Sequence, residues 1–276
     1  MLDEFLEYLR STGKSSNTYD TYFRHVGLFY LWCWESFSAK PSQLYRTNVQ
    51  DYISYMRNIK RCTPRTLNNH LSALRSFNEY LIQSGRQTEL VVLHTDFMKV
   101  QIQYASPSKV DKSDVEVFRQ RVLETGSKRD YAIVTLLAYA GLRRSECAAL
   151  RTDQIDLVSR EIRVTGKGDK HRVVYINDKI VHAVRAYLKE RESDSPYLFV
   201  SRQGERISPS RINQIFNRYS DGITPKDLRH FYCSNALASG FSIHEVANQA
   251  GHSNVRTTLV YTNPSAKEMK EKANKL

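Results

Sequence analysis

The sequence predicts a mostly α-helical protein of two domains, with a small β-sheet in the second domain. Two long segments within residues 1–100 carry apolar side chains at three- and four-residue steps, which is the period of an amphipathic helix. This period is lost near residues 101–110 and resumes after them. In the second part of the chain, one pair of β-branched runs interrupts it. A chain of 276 residues is long enough to form two such domains.

The two helical segments of the first domain each have a start signal and an apolar stripe. The first, "SSNTYDTYFRHVGLFYLWCWESF", opens with cap-type residues, and its stripe consists of Tyr19, Tyr22, Phe23, Val26, Phe29 and Tyr30. In the second, "TPRTLNNHLSALRSFNEYLIQSG", Thr63 and Pro64 suit an N-cap and a first helical position, and Gly85 is a natural stop. Its stripe consists of Leu67, Leu71, Leu74, Phe77 and Leu81.

The boundary between the domains is predicted at "VQIQYASPSKV", which has no helical period and contains Ser106, Pro107 and Ser108. A fresh helix cap follows at "DKSD", as a new domain requires. The predicted divisions are a helical domain at 1–100, a linker at 101–110, a second domain at 111–264 and a tail helix at 265–276.

Within the second domain, a strongly apolar segment with Ile133, Leu136 and Leu137 predicts a buried helix that Gly141 ends. A short helix is expected at 145–150. The stretch "EIRVTGKGDKHRVVYI" then has two β-branched runs around a glycine-rich turn, which predicts a β-hairpin. Helical patterns return from "SPSRINQIFNRY" onward.

The charge of the chain points to a polyphosphate partner. Forty-one Lys and Arg against 29 Asp and Glu give a net charge of +12, spread along the sequence. On the second helical segment, the polar face offers two interpretations, a solvated surface or a surface that faces DNA. Its candidate contact residues are Arg65, Asn69, His70 and Arg75.

Composition also excludes several classes of protein. No apolar stretch approaches the roughly 18 residues of a membrane span, and "MLDEFLEYLR" has charges where a signal peptide is apolar. The four cysteines form no CxxC pair, which fits reduced thiols and not a zinc site. We therefore expect a cytoplasmic protein without a membrane partner, a metal or a cofactor.

Several chemically suggestive residues have ordinary explanations when each is taken alone. Arg143 can cap helix carbonyls or pair with Glu146, one turn later. Lys167 is unremarkable in a hairpin turn, and the turn lacks the spacing of a phosphate-binding P-loop. Tyr261, in "TLVYTN", is typical of a half-buried helix residue. Their order along the chain is more informative.

Four motifs occur in one order: GLRxSE at 141–146, GKGxKxR at 166–172, LRH at 228–230, and a Gly-His pair at 251–252 with a tyrosine nine residues later. In this order they resemble the tyrosine recombinase (phage integrase) family. The two helical segments of the first domain look like the core-binding, SAM-like domain of its Xer-type members. The resemblance covers nearly the whole chain.

The resemblance implies a role for each motif residue. Arg143 and Arg229 would hold the scissile phosphate, Lys167 would be the hairpin lysine that acts as general acid, His252 the late histidine, and Tyr261 the nucleophile. Guanidinium groups suit this task because they are planar, permanently charged, bidentate donors. A lysine that protonates the departing 5′-oxygen can contribute about 10² to 10⁴ in rate.

Two further positions depend on the same resemblance. Lys226, in "KDLRH", stands where the family most often has a histidine. We expect it to donate a hydrogen bond to the phosphate, because an unperturbed lysine stays protonated and is a poor base. Glu146 matches an acidic position of the family and is expected to orient Arg143.

The implied activity is site-specific DNA recombination through a 3′-phosphotyrosyl intermediate, with strand exchange and a Holliday junction. The implied partners are double-stranded DNA with inverted-repeat core sites and three further copies of the chain, as a homotetramer on two duplexes that the tail helix connects. Service to a mobile element, in integration, excision or resolution, is the leading role. The alternatives are Xer-like resolution of chromosome or plasmid dimers, a type IB topoisomerase-like activity and a non-catalytic DNA-binding protein.

Overall fold

The structure is a computed structural model that describes residues 1–100, 109–166, 171–220, 222–252, 254–259, 261 and 273–274. The chain divides into two compact units, Met1–Ile102 and Gln103–Leu276. Helices dominate both units, and a three-stranded sheet lies in the second. The predicted fold class is confirmed. Within the described ranges, no helix is long and apolar enough to cross a membrane.

The first unit is a bundle of helices whose apolar faces meet in one core. Its helices are α1 (Leu2–Ser11), α2 (Ser16–Phe37), α3 (Arg46–Ser54) with a π-helical turn at Tyr55–Ile59, and α4 (Pro64–Gln83). The side chain of Thr63 accepts a hydrogen bond from the Thr66 backbone N–H, so α4 begins with the predicted cap. Leu67, Leu71 and Phe77 are fully buried, as the stripe on α4 predicts.

His70 lies in this core, so its assignment to a DNA-facing surface is wrong. Its side chain is 6% exposed, its Nδ1 lies 3.0 Å from the Tyr52 hydroxyl, and its ring lies 3.9 Å from that of His25. The reason is helical geometry: position 70 lies three residues after Leu67 and four before Leu74, which places it on the apolar face of α4.

The other candidate DNA contacts lie at the surface of the first unit. Arg65 and Asn69 are exposed on α4. Arg75 is half-exposed and pairs with Glu79, whose carboxylate lies 3.5 Å from its guanidinium. These three side chains are available to a ligand, and their contact with DNA stays a prediction.

The second unit surrounds a buried helix, α6. Its helices are α5 (Lys112–Thr125), α6 (Lys128–Tyr139), α7 (Arg144–Ala149), α8 (Asp178–Leu188), α9 (Pro209–Tyr219), α10 (Pro225–Ala238), α11 (Ile243–Ala250) and α12 (Arg256–Leu259). Ile133, Leu136 and Leu137 of α6 are fully buried, as predicted. Gly141 follows α6 with φ of +62°, and a Cβ there would lie 2.3 Å from the Tyr232 ring. The turn therefore requires glycine for its conformation and for space.

The sheet of the second unit is antiparallel in the order β1–β2–β3, with strands Ile155–Asp156, Glu161–Thr165 and His171–Tyr175. The predicted hairpin is β2 and β3, with Ile162 opposite Val174 and Thr165 opposite His171. The two-residue strand β1 was not predicted. Lys167, between β2 and β3, lies outside the described residues, as do most of the predicted linker and tail helix.

Candidate active site

A buried carboxylate, Glu146, organises one side of the candidate site. It lies in the first turn of α7, where it accepts a hydrogen bond from the Arg143 backbone N–H (2.8 Å) and another from the Arg143 guanidinium (2.7 Å). Arg172 of β3 adds two parallel hydrogen bonds to the same carboxylate, at 3.0 and 2.8 Å. Burial alone would raise the pKa of Glu146, but hydrogen bonds from Arg172 and Arg143 bring it below its usual value.

Arg172 is a site residue that sequence reasoning missed. It is the last residue of the GKGxKxR motif at 166–172, so the motif contained the signal without assigning a role. Its side chain is only 13% exposed, and the carboxylate it binds is 5% exposed. A nearly buried arginine on a strand needs such a partner, because an unpaired buried charge is costly.

Three arginines converge on the end of α11. The last carbonyls of a helix have no partner within it, and this end carries the negative pole of the helix dipole. Each of three consecutive carbonyls accepts a hydrogen bond from a different arginine: Gln249 from Arg172 at 3.0 Å, Ala250 from Arg229 at 2.6 Å, and Gly251 from Arg143 at 2.5 Å. We call these three carbonyls and their arginines the arginine clamp.

Both predicted phosphate-binding arginines keep guanidinium N–H donors that the clamp does not use. Arg229 also donates to the Gly141 carbonyl at 2.5 Å, and Arg143 also donates to Glu146. Each guanidinium has five N–H groups and uses two in these contacts, so about three remain. Burial and the neighbouring Arg143 charge lower the pKa of Arg229. An anion between the two groups would relieve that repulsion.

His252 follows the clamp directly. Its Nδ1 lies 2.8 Å from the hydroxyl of Thr258, whose side chain is fully buried. Burial, and then the charges of Arg229, Arg143 and Arg172, lower its pKa to about 4. The imidazole is therefore neutral at neutral pH, with one ring nitrogen held by Thr258.

Tyr261 packs against this histidine, in the same unit. The two rings are stacked at 13° with centroids 6.0 Å apart, and the His230 ring lies 5.1 Å from the Tyr261 ring. Burial, followed by contact with the Cys233 thiol, raises the pKa of Tyr261 to about 12. The phenol is thus protonated at neutral pH and must lose a proton to act as a nucleophile.

Of the predicted site residues that remain, the structure describes Lys226 and not Lys167. Lys226 is exposed in the first turn of α10. Cys233, Ala236, Val246 and Ala250 form a small apolar cluster under the Tyr261 ring. Among the described residues, no group of three or more His, Cys, Asp or Glu side chains could hold a metal ion.

Comparison with known proteins agrees with this geometry. Residues 109–268 match the model of the phage integrase family, and residues 1–86 match the phage integrase N-terminal SAM-like domain. The chain is 45% identical to the TnP I resolvase of Bacillus thuringiensis, with 98% of this chain and 97% of the relative covered. It is 28% identical to tyrosine recombinase XerA of Pyrococcus horikoshii, over 98% of this chain and 91% of the relative.

A solved structure, the Tn1549 transposon integrase in complex with transposon right end DNA, shares the fold with a TM-score of 0.69. It is 17% identical and covers 99% of this chain and 98% of its own. Because the family model matches more than half of the chain, the chain belongs to the phage integrase family of tyrosine-type site-specific recombinases.

Proposed function

We propose that the protein cuts and rejoins DNA at a specific site, with Tyr261 as the nucleophile and Arg143 and Arg229 as the phosphate-binding groups. The observation that carries the proposal is the arginine clamp, which holds both arginines at the α11 carbonyls that lead directly to His252. Tyr261 stacks on that histidine. Two arginines and a histidine from different parts of the sequence thus form one cationic site beside a phenol.

The arginines stabilise the charge that develops on the phosphate. Attack in line on a phosphodiester gives a pentacoordinate transition state with extra negative charge on the non-bridging oxygens. The N–H groups that the clamp leaves over on Arg143 and Arg229 can bind those oxygens. Because the clamp fixes the guanidinium groups before the substrate arrives, little reorganisation is needed during the reaction.

Proton transfers complete the cleavage step. The O–H bond of Tyr261 breaks as its proton passes to a base, its oxygen forms a bond to phosphorus, the bond to the 5′-oxygen breaks, and the departing oxygen takes a proton from Lys167. Lys226 and His252 donate hydrogen bonds to the phosphate. The phosphotyrosyl bond conserves the energy of the phosphodiester, so the 5′-hydroxyl of another strand can displace Tyr261 without ATP.

The proposed substrate is double-stranded DNA with inverted-repeat core sites, bound in the cytoplasm by a homotetramer on two duplexes. Arg65, Asn69 and Arg75 of the first unit contact this DNA. The net charge of +12 supports a DNA partner. The similarity to the TnP I resolvase supports service to a mobile element, and the similarity to XerA supports dimer resolution as the second candidate role.

A plasmid assay tests the proposal. Two copies of the DNA that flanks the protein's own gene are placed on a supercoiled plasmid and incubated with the pure protein. We expect a covalent protein adduct at a 3′-phosphate and exchange between the two copies. Relaxation of any plasmid without exchange would instead show a topoisomerase, and binding without an adduct would show a non-catalytic DNA-binding protein.

A further inference from the structure

Tyr261 has a second imidazole beside it, which the roles assigned above do not use. The His230 ring lies 5.1 Å from the Tyr261 ring and is inclined to it by 59°, so it is nearer than the stacked ring of His252 at 6.0 Å. We propose that His230 is the general base that takes the proton of Tyr261 during DNA cleavage. This proposal rests on the proposed function, because it names the base for the same nucleophile.

Helix α10 places the His230 ring beside the phenol ring of Tyr261. Tyr261 packs against the small apolar cluster that contains Cys233, and Cys233 lies three residues after His230 on α10. Residues three apart on a helix are neighbours on its surface. A movement of the phenol toward the preceding turn of α10 would therefore bring its hydroxyl to the imidazole.

The other candidate bases are already occupied or unsuitable. His252 has one nitrogen held by Thr258, and the three clamp arginines surround it with positive charge. That position suits a hydrogen-bond donor to phosphate and not a group that must become positively charged. Lys226 is exposed, and an ordinary lysine is protonated at neutral pH.

His230 has the properties that a base needs. Its ring is partly exposed, and among the described residues no hydrogen bond occupies either ring nitrogen. Burial, followed by the charge of Lys226 one turn earlier, lowers its pKa, with a smaller lowering from Arg229 and an opposing effect from Asp227. Tyr261 and His252 also lie near it. The imidazole is therefore neutral at neutral pH and ready to accept a proton.

The proton balance is simple. During cleavage the O–H bond of Tyr261 breaks, its proton moves to His230, and the phenolate oxygen forms the bond to phosphorus as the 5′-oxygen leaves. During rejoining the 5′-hydroxyl attacks phosphorus, the bond to Tyr261 breaks, and His230 returns the proton to the phenol oxygen. No additional reactant is consumed.

The first test compares His230→Ala with His244→Ala, an exposed histidine on the neighbouring helix α11. Full-length protein is mixed with a nicked duplex of its own site, and covalent adduct is followed over time. We expect His230→Ala to bind DNA normally and to cleave about 10² to 10⁴ times more slowly at neutral pH, the usual contribution of a general base. Equal rates for the two variants overturn the proposal. Failure of the unmutated protein to form any adduct would count against the proposed function instead.

The pH profile separates a base from a structural support. In the unmutated protein the cleavage rate rises as His230 loses its proton and is level near neutral pH. Without that base, the reaction needs phenolate formed by ionisation alone, and the pKa of Tyr261 is about 12. The rate of His230→Ala should then rise about tenfold per pH unit through the range around pH 7 to 9. A level profile for this variant contradicts the proposal.

Rescue gives the final discrimination. A fluorinated tyrosine placed at position 261 has a more acidic phenol and depends less on a base. It should restore cleavage in His230→Ala. It should not restore cleavage in His252→Ala, which lacks a hydrogen-bond donor to the phosphate. Rescue of the His252 variant alone would transfer the role of base to His252 and overturn the assignment of His230.

Discussion

The guanidinium of Arg143 donates a hydrogen bond to the carbonyl oxygen of Gly251, at 2.5 Å and across 108 residues of sequence. This contact joins the residue that precedes α7 to the residue that ends α11. Gly251 precedes His252, so the same bond connects the arginine proposed to bind phosphate to the loop of the histidine. The position of each group therefore depends on the other.

Gly251 should be intolerant of a side chain. Its φ is +68°, and a Cβ would lie 2.7 Å from the Arg172 guanidinium. Gly251→Ala should lose DNA cleavage at least tenfold, because Arg172 and then Glu146 are displaced. Gly240→Ala is the matched control, since Gly240 has φ of +94° and open space around it. In thermal unfolding, each variant should lose about 1–2 kcal/mol of stability, because alanine is strained at a positive φ. Equal cleavage rates for the two variants would show that cleavage does not depend on the arginine clamp.

Arg172 should be required for stability as well as for cleavage. Arg172→Ala removes two of the hydrogen bonds to the buried Glu146 carboxylate and the bond to Gln249. Breaking a buried ion pair costs about 3–5 kcal/mol, which urea unfolding can measure. Arg163→Ala, at an exposed position on β2, should change the free energy of unfolding little. A loss below about 1 kcal/mol in Arg172→Ala would show that Glu146 does not depend on it.

Lys167 should act on the leaving group. Lys167→Ala should bind DNA normally and cleave about 10² to 10⁴ times more slowly, because the 5′-oxygen departs without a proton. A substrate with a 5′-bridging sulfur needs no proton and should restore the rate. The same substrate should not restore Arg143→Ala, whose defect lies in charge stabilisation. The reverse pattern would assign the general acid to Arg143 and not to Lys167.

The second unit should lose stability in acid through Glu116. Burial raises the pKa of this carboxyl, but hydrogen bonds from Lys179 and Tyr139 and the charge of Arg119 lower it to about 2. A lowered pKa stabilises the fold above the usual value of 4.5, and the contribution disappears as pH falls toward 2. Glu116→Gln should therefore flatten the pH dependence of unfolding in this range. Glu124→Gln, at an exposed position of α5, is the control. Parallel pH curves for the unmutated protein and Glu116→Gln would refute the prediction.

Local pattern accounts for most of the helices. The start of α4 at Pro64 and the buried Leu67 follow from side-chain types and spacing, because caps and apolar stripes act within a few residues. The same reasoning failed for His70. A polar residue type suggested the surface, but its position beside Leu67 and Leu74 placed it in the core.

The contacts of the candidate site were harder to predict because they are distant in sequence. Arg172 binds the Gln249 carbonyl across 77 residues, and no local pattern contains that information. His230 was part of the LRH motif at 228–230, yet its proximity to Tyr261 depends on how α10 packs against the end of the chain. Motif order could suggest the reacting groups, but not the arginine clamp.

Identifying the amino acid that becomes attached to DNA tests the assignment of Tyr261 as the nucleophile most directly. The covalent adduct on a nicked duplex is digested with protease and nuclease, and the nucleotide-bearing peptide is sequenced by mass spectrometry. The chain has 17 tyrosines, so the position is informative. We predict a 3′-phosphate ester on Tyr261 and no adduct in Tyr261→Phe, which should bind DNA as well as the unmutated protein. Attachment at any other residue, or an adduct in Tyr261→Phe, would contradict this assignment.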